Sequence, residues 1–377
     1  MLKDFLHKKP LYYNEIDYTR MPRVYADIKA NFNNPKVIHI IGTNGKGTTG
    51  RFLASALYSL GYSVGHYTSP HILKFNERIW LNGFDVSDDK LNAHHQELLM
   101  ILTQEEADSL SYFEYTTLLA MLIYKDADYV VLEAGLGGEY DATAVFDNIL
   151  TLVTPIAKDH EAFLGTTIKE IATTKLNAVQ KMAILSQQIN TEVYEVANNL
   201  KIEYEKVSYF LEKEDKKKID EISKNLSLAP YLQNNLTLAI SALKYLGVKY
   251  ESSNFLNSKL FGRLTPLNDK IFIDVGHNVL AAQAILETLN GSQFTVIYNS
   301  YKDKAYKEIL AILKPIIKSV EIINISDERI EKKEKIQETL KELGIVYNSF
   351  KSIDKNKKYL VFGSFSVVEE FLKVYNG

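Results

Sequence analysis

Between Val37 and Thr49 an apolar run, Val37 to Ile41, passes directly into the glycine-rich stretch Gly42-Thr43-Asn44-Gly45-Lys46-Gly47-Thr48-Thr49. A strand that opens into such a loop implies an α/β unit and makes polyphosphate the expected ligand. Gly42, Gly45 and Gly47 let backbone amides approach phosphate oxygens, Lys46 meets the outer charge, and Thr48 or Thr49 can reach magnesium. Gly47 separates Lys46 from the hydroxyl residues, unlike the standard phosphate loop, so a purely structural glycine turn is the competing reading. The following stretch favours phosphate: from about Arg51 to Leu60, Phe52, Leu53, Ala56, Leu57 and Leu60 fall on one buried side of a helix.

A chain of 377 residues exceeds one typical core, so two domains are expected. The formal charge of -3 offers no broad basic surface and argues against general nucleic-acid affinity. The lack of cysteine removes disulfides and thiolate metal sites from consideration. Met1 to Tyr12 carries charges and a proline, and no later run reaches the roughly 18 apolar residues of a membrane span. A soluble cytoplasmic protein is expected.

Tyr25, Ile28 and Phe32 give a helical lead before Gly42. Short apolar strands are expected at Ser63 to Tyr67, Tyr129 to Glu133, Ile149 to Val153 and Ala183 to Ser186, with a buried helix from Tyr115 to Tyr124. This alternation predicts an open α/β sheet covered on both faces, with ligands beyond the carboxyl ends of its strands. Glu203 to Ile222 is charged and reads as a solvated hairpin or insertion. After a helix from about Asn235 to Leu246, the pattern restarts at Leu260. Strands are expected near Lys270 to Asp274, Phe294 to Tyr298, Val320 to Ile325 and Tyr359 to Phe362, and helices at Val279 to Leu289, Lys304 to Leu313 and Lys332 to Leu343. Domains of 1–259 and 260–377 follow, with a cleft expected between them.

Chemistry-bearing residues cluster at expected strand ends. Glu133, before Ala134-Gly135-Leu136-Gly137-Gly138, can bind magnesium or cap backbone amides in a tight turn. His160, next to Asp159, can coordinate a divalent ion or orient a carboxylate. Ser69, in Thr68-Ser69-Pro70-His71, can contact metal or phosphate, or only form a Ser-Pro turn. Phe75 and Trp80, flanking Asn76, Glu77 and Arg78, can form a ligand loop or pack it down. In the second domain Asp274 can accept from ligand hydroxyls, His277 can donate or accept, Asn278 suits a helix N-cap, and Arg263 can bridge to phosphate.

Taken in order, these motifs resemble the folylpolyglutamate synthase and dihydrofolate synthase family, the folate branch of the Mur-ligase-like amide-forming enzymes. The resemblance covers almost the whole chain. It rests on Gly42 to Thr49, Thr68 to His71, Glu77-Arg78-Ile79, Phe113-Glu114 with Thr117, Glu133 to Gly138, Asp141-Ala142-Thr143, and Asp159-His160 with Leu164-Gly165-Thr166. It continues through Asn235, Gly262-Arg263-Leu264, Asp274-Val275-Gly276-His277-Asn278, Lys302-Asp303-Lys304 and Gly363-Ser364-Phe365. The fold it implies is a P-loop Mur-ligase-like N-terminal domain with a smaller Rossmann-like C-terminal α/β domain. The first would bind ATP and folate, and the second would be the glutamate-ligase domain.

The resemblance further implies ATP and magnesium as cofactors, dihydropteroate, tetrahydrofolate or folylpolyglutamate and L-glutamate as substrates, and a monomer. Lys46, Glu133, His160 and Lys175 would be catalytic. Gly42 to Thr49, Asn235, Arg263, Asp274 and His277 would hold the nucleotide, and Thr48, Ser69, Glu133, His160 and Lys175 the metal. Lys175 stands where the family has a lysine that becomes a carbamate, an anionic oxygen ligand in place of a cation. The family block there is Glu-Lys-Ala-Gly-Ile-like, whereas this chain has Thr174-Lys175-Leu176-Asn177-Ala178-Val179, which keeps the lysine while several neighbours differ; Glu139, at a position often basic in the family, and Tyr231, Leu232, Val275 and Val279 depart as well. The expected reaction activates a carboxylate as an acyl phosphate that the glutamate amine attacks. A ligase acting on a cell-wall precursor, a P-loop phosphotransferase or NTPase, and a nonenzymatic nucleotide switch are the alternatives.

Overall fold

The computed structural model describes residues 1–10, 17–33 and 35–376. Residues 11 and 12 of the N-terminal segment considered above therefore lie outside the described residues. The chain divides into two compact units, Met1–Leu228 with Leu232–Lys259, and Ala229–Tyr231 with Leu260–Gly377.

In the first unit the strands are β1 Lys36–Ile41, β2 Val64–Tyr67, β3 Ile79–Leu81, β4 Phe84–Asp85, β5 Tyr129–Glu133, β6 Asn148–Val153, β7 Met182–Leu185 and β8 Glu203–Lys206. They form one sheet in the order β4-β3-β2-β5-β1-β6-β7-β8. From β2 to β8 neighbouring strands run parallel, while β3 and β4 add an antiparallel flank. Every residue of β5, and all of β1 except Lys36, is buried. Both sheet faces are covered, which is why these strands read as continuous apolar runs instead of alternating.

Strand β1 lies between β5 and β6, so the chain's direction of winding reverses beside it, where open α/β sheets bind ligands. Register sets the rest: Ile40 pairs with Glu133 and Ile41 with Val153. Gly42, Thr68, Ala134 and Thr154 consequently leave the sheet along one carboxyl edge.

The helix after β1 spans Lys46–Ser59, five residues earlier than the periodicity indicates. Gly45, at φ +93°, is its N-cap, and only Gly adopts that left-handed geometry without cost. Burial extends around most of the helix, Gly47 to Gly50 and Phe52 to Leu57, because it packs on β2, β5 and the turn Ser252–Phe255.

One expectation is overturned. Residues 203–222 are neither a hairpin nor an unstructured insertion: β8 pairs in parallel with β7, and a helix covers Lys213–Asn225. An edge strand needs backbone partners more than apolar side chains, and only Ile219, Ile222 and two polar residues of the helix are buried. Mixed charges on the solvent face hid that narrow stripe.

In the second unit the strands are β9 Thr265–Asn268, β10 Ile271–Ile273, β11 Phe294–Tyr298, β12 Ile317–Ile322, β13 Tyr347–Ser349 and β14 Tyr359–Phe362. Their order is β13-β12-β11-β14-β10-β9, parallel except for β9. The core gathers Val296, Tyr298, Leu310, Leu313, Leu340, Leu360 and Phe362. The strand expected at Val320 to Ile325 begins three residues earlier, at Ile317. The two short strands β9 and β13 and the C-terminal helix Phe365–Asn376 were not anticipated.

Candidate active site

The glycine loop is tied down by the segment after β6. The Thr43 hydroxyl donates to the Ala157 carbonyl and accepts from the Ala157 amide, each at 3.0 Å, and the Thr43 amide donates to Pro155 O at 3.0 Å. Gly42 packs so closely on Thr154 that a Cβ would collide with its backbone. Gly45 is likewise pressed against the carboxamide of Asn235, which is 5% exposed. The Gln188 side chain accepts from the Ile156 amide at 2.9 Å, and Asn190 donates to Ile156 O at 2.9 Å, so the end of β7 braces the loop that braces Thr43.

Around this fixed backbone the helix N-terminus is open to a ligand. Lys46 begins the helix, no side chain caps it, and the buried hydroxyl of Thr48 has no hydrogen-bond partner. An uncapped helix start carrying an orphaned buried hydroxyl fits a polyphosphate with its magnesium ion, which together supply acceptors and an oxygen-seeking cation. The Lys46 ammonium meanwhile rests on Gly42 O and Thr43 O, both at 3.3 Å.

Along the same edge Glu133, 5% exposed, accepts from the Thr68 hydroxyl and from the Ser69 amide at 3.1 Å. Both bonds reach Oε2, which leaves Oε1 for a ligand. The Ser69-Pro70 peptide is cis. Glu133 and Ser69 are thus brought together. His160, at φ +53°, caps the short helix Glu161–Leu164; its side chain is 40% exposed, against 10% for Asp159. Among the described residues no three His, Cys, Asp or Glu side chains converge as metal ligands.

Lys175 is buried in the helix Ile168–Leu176, donating to Gly42 O at 2.9 Å. Burial and the nearby Lys46 charge pull its pKa down to about 7, with Asp159 and Asp141 opposing. Gly138 packs directly on its backbone, and the Glu139 backbone amide donates to Thr174 O at 2.9 Å. The Glu139 carboxylate accepts from the Asn177 side chain at 2.7 Å.

Asp141 acquires importance that its sequence position did not reveal. Its carboxylate accepts from the Leu136 amide at 2.8 Å, the Thr143 amide at 3.0 Å and the Thr143 hydroxyl at 2.6 Å. The signal available in the sequence was Asp141-Ala142-Thr143, an Asx turn in which an acid binds a backbone amide two residues on. Asp141 also lines a cavity of about 410 Å³ rimmed by Tyr18, Tyr25, Glu139 and Tyr140. Thr154, Gln188 and Asn190 give no signal as supports in the sequence, because contact across strand ends has no sequence spacing.

In the second unit Asp274 accepts from Tyr231 Oη at 2.7 Å, the Leu264 amide at 2.8 Å and the Gly276 amide at 2.7 Å. Burial pushes its carboxyl pKa up, and Arg263 opposes this. Arg263 lies over the Phe365 ring at 5.3 Å, so it is not a bare surface arginine. His277 Nδ1 is 3.1 Å from Val275 O, and Asn278 caps the helix Val279–Leu289 by accepting from the Ala281 amide. Asp274, Arg263 and Tyr231 are thus brought together.

No family model matches the chain. It is 31% identical to the dihydrofolate synthase/folylpolyglutamate synthase of Buchnera aphidicola subsp. Schizaphis graminum over 88% of this chain and 86% of that one. The crystal structure of Helicobacter pylori folylpolyglutamate synthetase matches with a TM-score of 0.80 at 38% identity, covering 100% of this chain and 98% of that chain. Escherichia coli FolC in complex with DHPP and ADP gives a TM-score of 0.82 at 25% identity over 99% and 96% of the two chains. The first unit is accordingly a P-loop Mur-ligase-like domain and the second the α/β domain that follows it in those structures. Similarity of this extent, over nearly the full length of both partners, shows that the chain belongs to the dihydrofolate synthase/folylpolyglutamate synthase family.

Proposed function

We propose that the chain is a cytoplasmic, monomeric, ATP-dependent amide ligase that adds L-glutamate to dihydropteroate and to the γ-carboxylate of reduced folates. The observation that carries this reading is the open phosphate loop, with its orphaned Thr48 hydroxyl, on the same sheet edge as Glu133 and Ser69. The names of the relatives supply the substrate class.

ATP is the phosphoryl donor. Amides of Lys46, Gly47 and Thr48 hold its phosphates, and Lys46 exchanges its two long carbonyl contacts for phosphoryl oxygens. Transfer to the acceptor carboxylate gives ADP and an acyl phosphate, making phosphate the leaving group in place of oxide. The neutral α-amine of glutamate attacks the acyl carbon, and collapse of the tetrahedral intermediate releases phosphate and leaves an amide. Magnesium, when bound, neutralises the transferred charge. Thr48, Ser69 and Glu133 would hold it, with His160 and a carbamate on Lys175 completing the set. A lysine with a pKa near 7 has a substantial neutral fraction at physiological pH, the form that adds carbon dioxide. The cavity beside Asp141, large enough for a fused heterocycle and flanked by tyrosines, is assigned to the acceptor acid. Asn235, Arg263, Asp274 and His277 are assigned to the nucleotide.

The test is product mass analysis with ATP, magnesium, glutamate and either dihydropteroate or tetrahydrofolate. Gain of one glutamyl residue with stoichiometric ADP and phosphate is expected. ATP consumption without an amide product would instead identify a phosphotransferase or NTPase.

A further inference from the structure

A histidine in the middle of a buried strand needs a reason. His39 of β1 is wholly buried, three residues before the phosphate loop begins. Its Nε2 lies 2.8 Å from the Thr143 hydroxyl, and its Nδ1 has no partner. Thr143 is 1% exposed and its hydroxyl lies 2.6 Å from Asp141 Oδ1. A hydroxyl has one proton, and although burial raises the Asp141 carboxyl pKa, a backbone amide donates to each of its oxygens, from Leu136 to Oδ2 and from Thr143 to Oδ1, which holds the group as an acceptor. The Thr143 proton therefore points to Asp141, and the hydroxyl must accept from His39 Nε2–H. This fixes the tautomer and leaves Nδ1 as a bare lone pair, since a second N–H there would be a buried donor without an acceptor.

We infer that His39 is a positioning residue for the acceptor-acid site: through a one-way relay, His39 Nε2–H to Thr143 Oγ–H to Asp141, it fixes the wall of that cavity to the strand that carries the phosphate loop. Asp141 in turn holds the Leu136 amide, so the glycine loop after Glu133 shares the anchor. A relay of short, fully buried bonds leaves little rotational freedom, and the two substrate sites keep their separation when either fills. The inference rests on the assignment of the acceptor acid to the Asp141 cavity.

The test compares His39→Leu and Thr143→Val, which cut the relay, with His39→Gln and Thr143→Ser, which keep a donor and a hydroxyl. The cutting variants should raise KM for the acceptor acid about tenfold, the scale of one lost buried hydrogen bond, and leave KM for ATP within about twofold. The conservative variants should restore it. Equal changes in both KM values, or no change in either, would overturn the inference. Asp141→Asn separates the two levels: if it leaves acceptor KM unaltered, the cavity assignment itself has failed, whereas an effect of Asp141→Asn without one from His39→Leu defeats only the relay. Should the cutting variants not fold, nitrogen-15 NMR of the wild-type chain decides, with a neutral Nε2–H imidazole expected and an Nδ1–H tautomer or an imidazolium at pH 7 contradicting it.

Discussion

Replacing His39 with Gln should make the protein more resistant to acid, by an amount that can be worked out beforehand. Burial lowers the imidazole pKa from 6.5 to about 4. The unfolded chain therefore takes up a proton as pH falls below 6.5, while the folded chain refuses it until about 4. The contribution is fully present above pH 6.5, is lost progressively down to pH 4, and is constant below that. At about 1.4 kcal/mol per tenfold difference in proton affinity, the whole loss is roughly 3 kcal/mol, of which roughly 2 kcal/mol has occurred by pH 5. Glutamine keeps an N–H near the position of Nε2 and does not titrate. Urea unfolding of both proteins at pH 7.5 and pH 5 gives the comparison. His66, also buried with its pKa driven well below the usual range, occurs in both chains and cancels. The stability difference should move by about 2 kcal/mol in favour of the variant on going to pH 5. A difference that stays constant between the two pH values would refute the buried, neutral state of His39.

Lys46→Ala should lower phosphoryl transfer by roughly a hundredfold to a thousandfold, the cost of removing one preorganised charge from a transferring group; near-normal acyl-phosphate formation, trapped with hydroxylamine, would displace Lys46 from its assigned position. Lys175→Ala should impair magnesium-dependent ligation, and a short added carboxylate should partly restore it. Absence of a carbamate from the active wild-type enzyme, read by carbon-13 NMR under labelled bicarbonate, would defeat that modification without touching the ligase assignment.

The apolar runs Tyr129 to Glu133, Phe294 to Tyr298 and Tyr359 to Phe362 coincide with strands because residues buried on both sheet faces must be apolar throughout. β8, β9 and β13 escaped notice because edge strands have exposed positions and tolerate polar side chains. The phosphate loop was legible because backbone-mediated phosphate binding restricts residue type within one short segment. Its buttress of Thr154, Ala157, Gln188 and Asn190 was not, since those groups meet only after separate strands reach one edge.

The amino-acid order alone established an α/β chain in which the apolar strand Val37 to Ile41 runs into a glycine-rich loop, because glycine geometry and continuous burial are local demands. Which side chains meet was decided by strand order and register. Placing β1 between β5 and β6 brings Gly42 to Lys175 and His39 to Thr143 across 133 and 104 residues of chain. A hydrogen bond depends on separation in space, which only the folded sheet supplies.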